Sequence, residues 1–154
     1  MVLRTYILSS SKMICSNKAE QVIVPGADGL IGLTTNHARL MASLETGLIN
    51  LKIGDTWSPV IIIAPAAVEI YRNMILIGAT EIEELPNKGG LEDEQKELQK
   101  AINTLKEAVE DKQDTDMRIR AVEDLRLARA RVQAAIQLAD SPSFEVLEGL
   151  EESA

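Results

Sequence analysis

Aromatic side chains make up only 3% of this chain, cysteine and histidine occur once each, and basic residues are in deficit, the formal charge being -8. Each shortage removes a class of function. Single-stranded nucleic acid is held on stacked rings, and Tyr6, Trp57, Tyr71 and Phe144 are too few and too scattered to build that platform. A nucleic-acid backbone also demands clustered Lys and Arg to displace its counterions, so nucleic acid is not an expected partner. Cys15 alone cannot close an intramolecular disulfide, and with His37 as the single histidine there is no soft-ligand set for zinc, so no metal is expected. Cys15 reads as a small apolar residue near a strand, in a reducing compartment. No apolar run of signal-peptide length opens the chain, and the most hydrophobic stretch, Val60 to Val68, is about half of what crosses a bilayer. Entry into an export route or a membrane is therefore not expected from the sequence itself.

What is present is a chain of 154 residues and 16.8 kDa with 45% hydrophobic and 26% charged residues, enough for one small core plus an appendage. Its two halves follow different periods. From Val2 to about Glu83 short β-rich runs alternate with turn residues. Strands are expected at Leu3 to Ser9, Glu20 to Val24, Leu30 to Thr34, Leu40 to Leu44, Leu48 to Ile53, Thr56 to Ile63, Val68 to Tyr71 and Met74 to Ile77. Pro25-Gly26-Ala27-Asp28-Gly29, Gly54-Asp55 and Arg72-Asn73 carry turn chemistry between them. The run Val60-Ile61-Ile62-Ile63 reads as a strand covered on both faces.

Past Leu85 the composition changes, and Pro86-Asn87-Lys88-Gly89-Gly90 breaks any regular element. Leu91, Leu98, Ile102, Leu105 and Val109 then line one face of a helix, and Val122, Leu125, Val132, Ile136 and Ala139 line a second, beside a stripe of Ala121, Ala128 and Ala135. Gln113-Asp114-Thr115-Asp116 offers N-cap candidates between them, so an antiparallel hairpin is expected. The first helix, Leu91 to Lys112, carries seven acids against four lysines. The span Thr115 to Ala139 carries five arginines against three acids, which suits either pairing between the helices or an acidic partner. The expected fold class is α+β: a β-sandwich at 1–86, a linker at 87–90, a helical hairpin at 91–139 and an acidic, mobile tail at 140–154.

No catalytic constellation emerges. His37 has no nucleophile motif beside it, and Gly26, Gly29 and Gly32 are not followed by the Gly-Lys-Ser/Thr of a phosphate loop. The carboxylate clusters Glu81-Ile82-Glu83-Glu84 and Glu92-Asp93-Glu94 lie in solvated, linker-like sequence.

The stretch Cys15 to Ala38, with Val24-Pro25-Gly26-Ala27-Asp28-Gly29-Leu30 and Asn36-His37-Ala38, resembles the signature of ATP synthase epsilon subunits. The likeness continues through Leu44-Glu45-Thr46-Gly47-Leu48-Ile49, through Gly54-Asp55-Thr56-Trp57 in the manner of plastid and cyanobacterial members, and through Leu125-Arg126-Leu127-Ala128-Arg129-Ala130-Arg131-Val132. The chain departs from the family at Arg39, where proline is usual after His-Ala, and at Pro65-Ala66-Ala67, which replaces a Gly-Gly step. Some bacterial members bind ATP through an Ile/Leu-Asp-x-x-Arg-Ala motif in the final helix; here Leu125, Arg129 and Ala130 match but Arg126 replaces the acid, so weak or absent nucleotide binding is expected.

The resemblance implies a non-catalytic rotor subunit of an F-type ATP synthase, homologous to the mitochondrial delta subunit and without a cofactor. It implies peripheral association with the stromal side of the thylakoid membrane through the complex, and no homo-oligomer. The sandwich would couple the gamma subunit to the c-ring, with Gly26, Ala27, Asp28, Gly29, Leu30 and His37 as candidate contacts. The hairpin would suppress ATP hydrolysis by extending toward the alpha and beta subunits, with Arg118, Arg120, Arg126, Arg129 and Arg131 as candidate contacts to beta. The rival expectation is a free-standing adaptor whose hairpin oligomerises as a coiled coil.

Overall fold

A computed structural model describes residues 2–83, 91–110, 115–140 and 151–152. The linker expected at 87–90, Gln113 and Asp114 of the capping segment, and all of the tail beyond 140 except 151–152 lie outside the described residues.

Eight strands, β1 (Leu3–Leu8), β2 (Met13–Ala19), β3 (Gln21–Gly26), β4 (Gly29–Thr34), β5 (Leu40–Leu44), β6 (Gly47–Ile53), β7 (Thr56–Tyr71) and β8 (Met74–Glu83), form an N-terminal β-sandwich. Two helices, α1 (Leu91–Glu110) and α2 (Thr115–Asp140), follow as a hairpin, and a two-residue strand, β9 (Glu151–Glu152), pairs with β2. The strand order is β4-β3-β5-β7-β8-β1-β2-β9, with β6 bridging β3 and β7. Among the described strands β1 and β8 run parallel and every other pair is antiparallel.

Strand alternation builds the core. Leu3, Ile7, Val22, Val24, Leu33, Ile49, Leu51, Ile62, Ile70, Ile75 and Ile77 point inward and are buried. Where sequence suggested two strands, Thr56 to Ile63 and Val68 to Tyr71, the chain makes the single sixteen-residue β7. Its register with β8 shifts between Ile63 and Ala66, so a bulge absorbs Pro65 and lets the strand pass from one layer to the other. β2 was not among the expected strands, because Ser16-Asn17-Lys18 masks its period. It closes onto β1 through a Ser9–Lys12 turn, in which Ser9 N–H donates to Lys12 O and the Ser9 hydroxyl accepts from Lys12 N–H. The β7–β8 turn places Arg72 and Asn73 at φ 50° and 61°, the left-handed pair that matches hairpin twist.

The two stripes of α2 explain its role. Ala121, Ala128, Val132 and Ala135 are buried on one side, which helical spacing sets opposite Leu127, Ala130 and Ala134. The first stripe serves the packing with α1; the second meets the sandwich, where Ala130 and Ala134 cluster with Leu48 and Ile61. Val60 and Ile62 face the core while Ile61 faces the helix, so this apolar run is covered on both sides.

Candidate functional site: a clasped helix and an open sheet face

The strip between α2 and the sandwich joins a thin apolar seam to two polar clasps. The seam is thin because alanine carries a single methyl; with Leu127 partly buried beside it, the burial contributes on the order of 3 kcal/mol. On one flank, Arg126 Nη2 reaches Glu45 Oε1 at 3.3 Å and Arg126 Nη1 donates to Glu123 Oε1 at 2.8 Å. The other oxygen of Glu123 accepts from the buried Thr46 hydroxyl at 2.8 Å, and Thr46 Oγ1 accepts the Ala64 amide at 2.9 Å. A continuous polar chain therefore runs from the helix into the β7 bulge. On the other flank, Arg131 donates from Nε to Glu83 Oε1 at 2.9 Å and from Nη2 to the same oxygen. That hydrogen bonding holds the Arg131 guanidinium above its ordinary range, against the opposing effect of burial; Glu94 and Glu97 of α1 act in the same direction.

A groove of about 600 Å³ opens beside the first clasp, walled by Pro25, Gly26 and Leu30 of the β3–β4 turn and by Arg129, Gln133 and Gln137 of α2. The amide oxygens of Asn50 and Gln137, both in its lining, are buried without a partner among the described residues.

The expected contact residues divide into separate groups. Gly26, Ala27, Asp28, Gly29 and Leu30 form the β3–β4 turn, where Leu30 is 76% exposed. The turn is held to β5 and the residue after it, because Ala27 N–H donates to Ser43 O and Glu45 N–H to Pro25 O. A Cβ on Gly26 would meet Gly29 O at 2.6 Å, so the tightness of this turn depends on glycine. His37 lies beyond the far end of β4, roughly 20 Å from the turn at the strand's rise per residue. The His37 ring donates from Nδ1 to Ala38 O, and its loop is anchored where Asn36 N–H donates to Asn73 Oδ1. Of the five arginines, Arg126 and Arg131 are engaged at the sandwich, and Arg118 Nε donates to Ala108 O within the hairpin. Arg120 and Arg129 are exposed.

One surface lies apart from every residue expected to make contacts. The outer face of β5, β7, β8, β1 and β2 aligns Met41, Glu69, Leu76, Tyr6 and Cys15 in one cross-strand row. Tyr71 and Met74 are paired nearer the β7–β8 turn, and Met41, Tyr71, Met74 and Leu76 are all exposed. Arg39 and Arg72 lie over the Tyr71 ring at 5.3 and 5.1 Å, joining this face to the His37 loop. The signal was available in Met74-Ile75-Leu76-Ile77, a strand apolar on both faces, which calls for cover on both.

The architecture defines a class first: a β-sandwich that carries a lightly clasped helical hairpin and leaves one apolar sheet face open. Known proteins with this architecture narrow it further. The family model described as ATP synthase, Delta/Epsilon chain, beta-sandwich domain, matches residues 2–85. The chain is 37% identical over 134 residues to the chloroplastic ATP synthase epsilon chain of Phaeodactylum tricornutum, covering 87% of this chain and 96% of that one. It is 35% identical over 133 residues to the corresponding chain of Thalassiosira pseudonana, covering 86% and 96%. A chain in the mitochondrial ATP synthase of Euglena gracilis has the same fold, with a TM-score of 0.67 at 15% identity over 88% of this chain and 81% of that one. The chain belongs to the ATP synthase delta/epsilon chain family.

Proposed function

We propose that this chain is the epsilon subunit of a plastid F-type ATP synthase, a non-catalytic part of the central stalk. It works peripherally at the stromal side of the thylakoid membrane, reached through the complex; among the described residues no helix is long and apolar enough to cross a bilayer. In this reading the sandwich seats gamma on the open sheet face and the adjoining His37 loop, and rests on the c-ring through the Gly26–Leu30 turn. Support comes from their placement at opposite ends of β4, which allows two partners to be held at once, and from the stiffness of a packed all-β core between them.

The hairpin is the regulatory half. Docked, it leaves the catalytic subunits free; released, it reaches toward alpha and beta and blocks rotation in the hydrolysis direction through Arg118, Arg120, Arg126, Arg129 and Arg131. The observation that carries this is the interface itself, an alanine seam flanked by clasps rather than a fused core, so that little apolar area holds the docked state. Two packings close in energy are what a switch requires. The test is truncation after Gly89 in the assembled enzyme. The remaining sandwich is expected to bind gamma and support coupled synthesis while suppression of ATP hydrolysis is lost; suppression that survives would remove the hairpin's assigned role.

A further inference from the structure

We infer that Arg39 and Arg72, gathered on the Tyr71 ring, form a clamp for a carboxylate side chain of the protein that covers the open sheet face. This rests on the reading that gamma is seated there and adds the chemistry of recognition, an Asp or Glu of gamma bordering an aliphatic patch.

Two loops converge on one ring. The register of β5 with β7 pairs Leu40 with Ile70, so the next step sets Arg39 opposite Tyr71, the last residue of β7. Arg72 begins the turn that follows. Asn36 N–H donates to Asn73 Oδ1 at 2.6 Å, which ties the loop carrying Arg39 to the turn carrying Arg72. Both guanidiniums lie over the ring, at 5.3 and 5.1 Å from its centroid. The negative face of the ring offsets part of the repulsion between them, and an anion at their edges offsets more of it.

The charge balance leaves room for that anion. Glu69 pairs with Arg39, Oε1 to Nη2 at 3.2 Å, while the Arg39 side chain stays 64% exposed. Arg72 has no carboxylate partner among the described residues, and neither has Arg4, which shares a cross-strand row with Met74 and Tyr71. Three guanidiniums thus stand against one carboxylate, in a chain whose formal charge is -8. The local surplus is positive, so its complement is acidic.

A guanidinium stacked on an aromatic face keeps its N–H edge free for a bidentate carboxylate, which lysine does not reproduce. Beside the clamp Met41, Met74 and Leu76 are exposed along β5 and β8. A protein laid over them excludes water from the neighbouring ion pair and strengthens it. The matching surface on gamma is therefore aliphatic with an acidic residue at its edge; a phosphate headgroup supplies the charge without the aliphatic cover.

Binding of the full-length chain to a catalytic complex stripped of its epsilon subunit, followed by surface plasmon resonance, tests the inference. Arg39→Gln and Arg72→Gln are each expected to raise Kd about tenfold, the scale of a charge-assisted hydrogen bond, and Arg72→Lys is expected to recover little of that loss. Arg72→Glu should bind more weakly still, and lysine in place of one gamma carboxylate should restore its binding. Leu76→Asp, on the aliphatic patch, is expected to weaken binding whether or not the clamp exists. An unchanged Kd in both glutamine variants, with binding weakened by Leu76→Asp, would overturn the inference and leave the seating of gamma standing. An unchanged Kd in Leu76→Asp would overturn the seating itself, so the two failures are separable. Full recovery by Arg72→Lys, or a loss in Arg72→Gln of binding to phosphatidylglycerol vesicles but not to the complex, would also overturn the inference. The melting transition should be unchanged in each variant, because all of these side chains are exposed.

Discussion

Glu83 receives both the Nε–H and an Nη2–H of Arg131 on a single carboxylate oxygen, and this pair joins the end of the last sandwich strand to the middle of the last helix. The opposite flank is joined through Arg126, Glu123 and Thr46. Two polar clasps thus flank the apolar seam that packs the hairpin on the sandwich.

Alkaline titration should distinguish the guanidinium from an amine. Arg131 has a raised pKa, so its contribution is fully present below its unfolded value and is lost only as pH rises through the folded one, above the range in which proteins are handled. Docking in the native chain is expected to be flat from about pH 7 to about pH 11 so far as this residue is concerned, whereas Arg131→Lys should undock as pH rises above the ordinary lysine value near 10.4, because pairing with Glu83 holds the amine's pKa above that value. The distance between nitroxide labels at Asp55 and Asp124, followed from about pH 7 to about pH 11.5 in chain with Cys15→Ala, checks it.

Thr46→Val removes a hydroxyl that donates to Glu123 and accepts from the Ala64 amide. The amide is left without its partner at the β7 bulge, and stability of the full chain should fall by about 1–3 kcal/mol in urea denaturation. The hairpin should undock in the same variant, read as faster hydrogen exchange in α2.

Gly26→Ala should destabilise the sandwich by about 1–3 kcal/mol, because the new methyl group has backbone oxygen 2.6 Å away and the turn must open. Gly32→Ala, whose added carbon meets nothing nearer than 3.8 Å, is the matched control and should change little. Thermal melts of the two variants side by side are sufficient.

Leu30→Asp alters a side chain that is mostly in water already, so stability should stay within about 0.5 kcal/mol of the native chain. If the β3–β4 turn rests on the c-ring, as proposed, proton-driven synthesis should fall in the assembled enzyme while hydrolysis by detached catalytic subunits is unaffected.

Much of this was legible in the residues. The alternation in Leu3 to Leu8 and Gln21 to Val24, and the glycine-bearing turn at 26–29, fix sandwich strands by local chemistry, and the step from period two to helical period marks the hairpin. β7 was less legible because a bulge is a tertiary accommodation: Pro65 ends a strand by local rules, yet pairing with β5 and β8 carries this one through. The division of α2 was hidden for a related reason. Alanine is ambivalent in periodicity, so the seven-residue spacing of Ala121, Ala128 and Ala135 marks a stripe, whereas nothing local distinguishes Ala130 and Ala134, which meet the sandwich. Charge counts showed five arginines on one helix, but only the fold reveals that Arg126 and Arg131 are engaged at carboxylates of the sandwich.

In the proposed mechanism the hairpin must leave the sandwich to act on its partners. Cysteines at Leu48 and Ala130, which share one apolar cluster, with Cys15 replaced by alanine, would lock α2 in place once joined by a short, reducible thiol cross-linker. ATP synthase assembled with the cross-linked chain should hydrolyse ATP without suppression, and reduction should restore it. Suppression that is equally strong in the locked and reduced states would mean that the hairpin acts without leaving the sandwich.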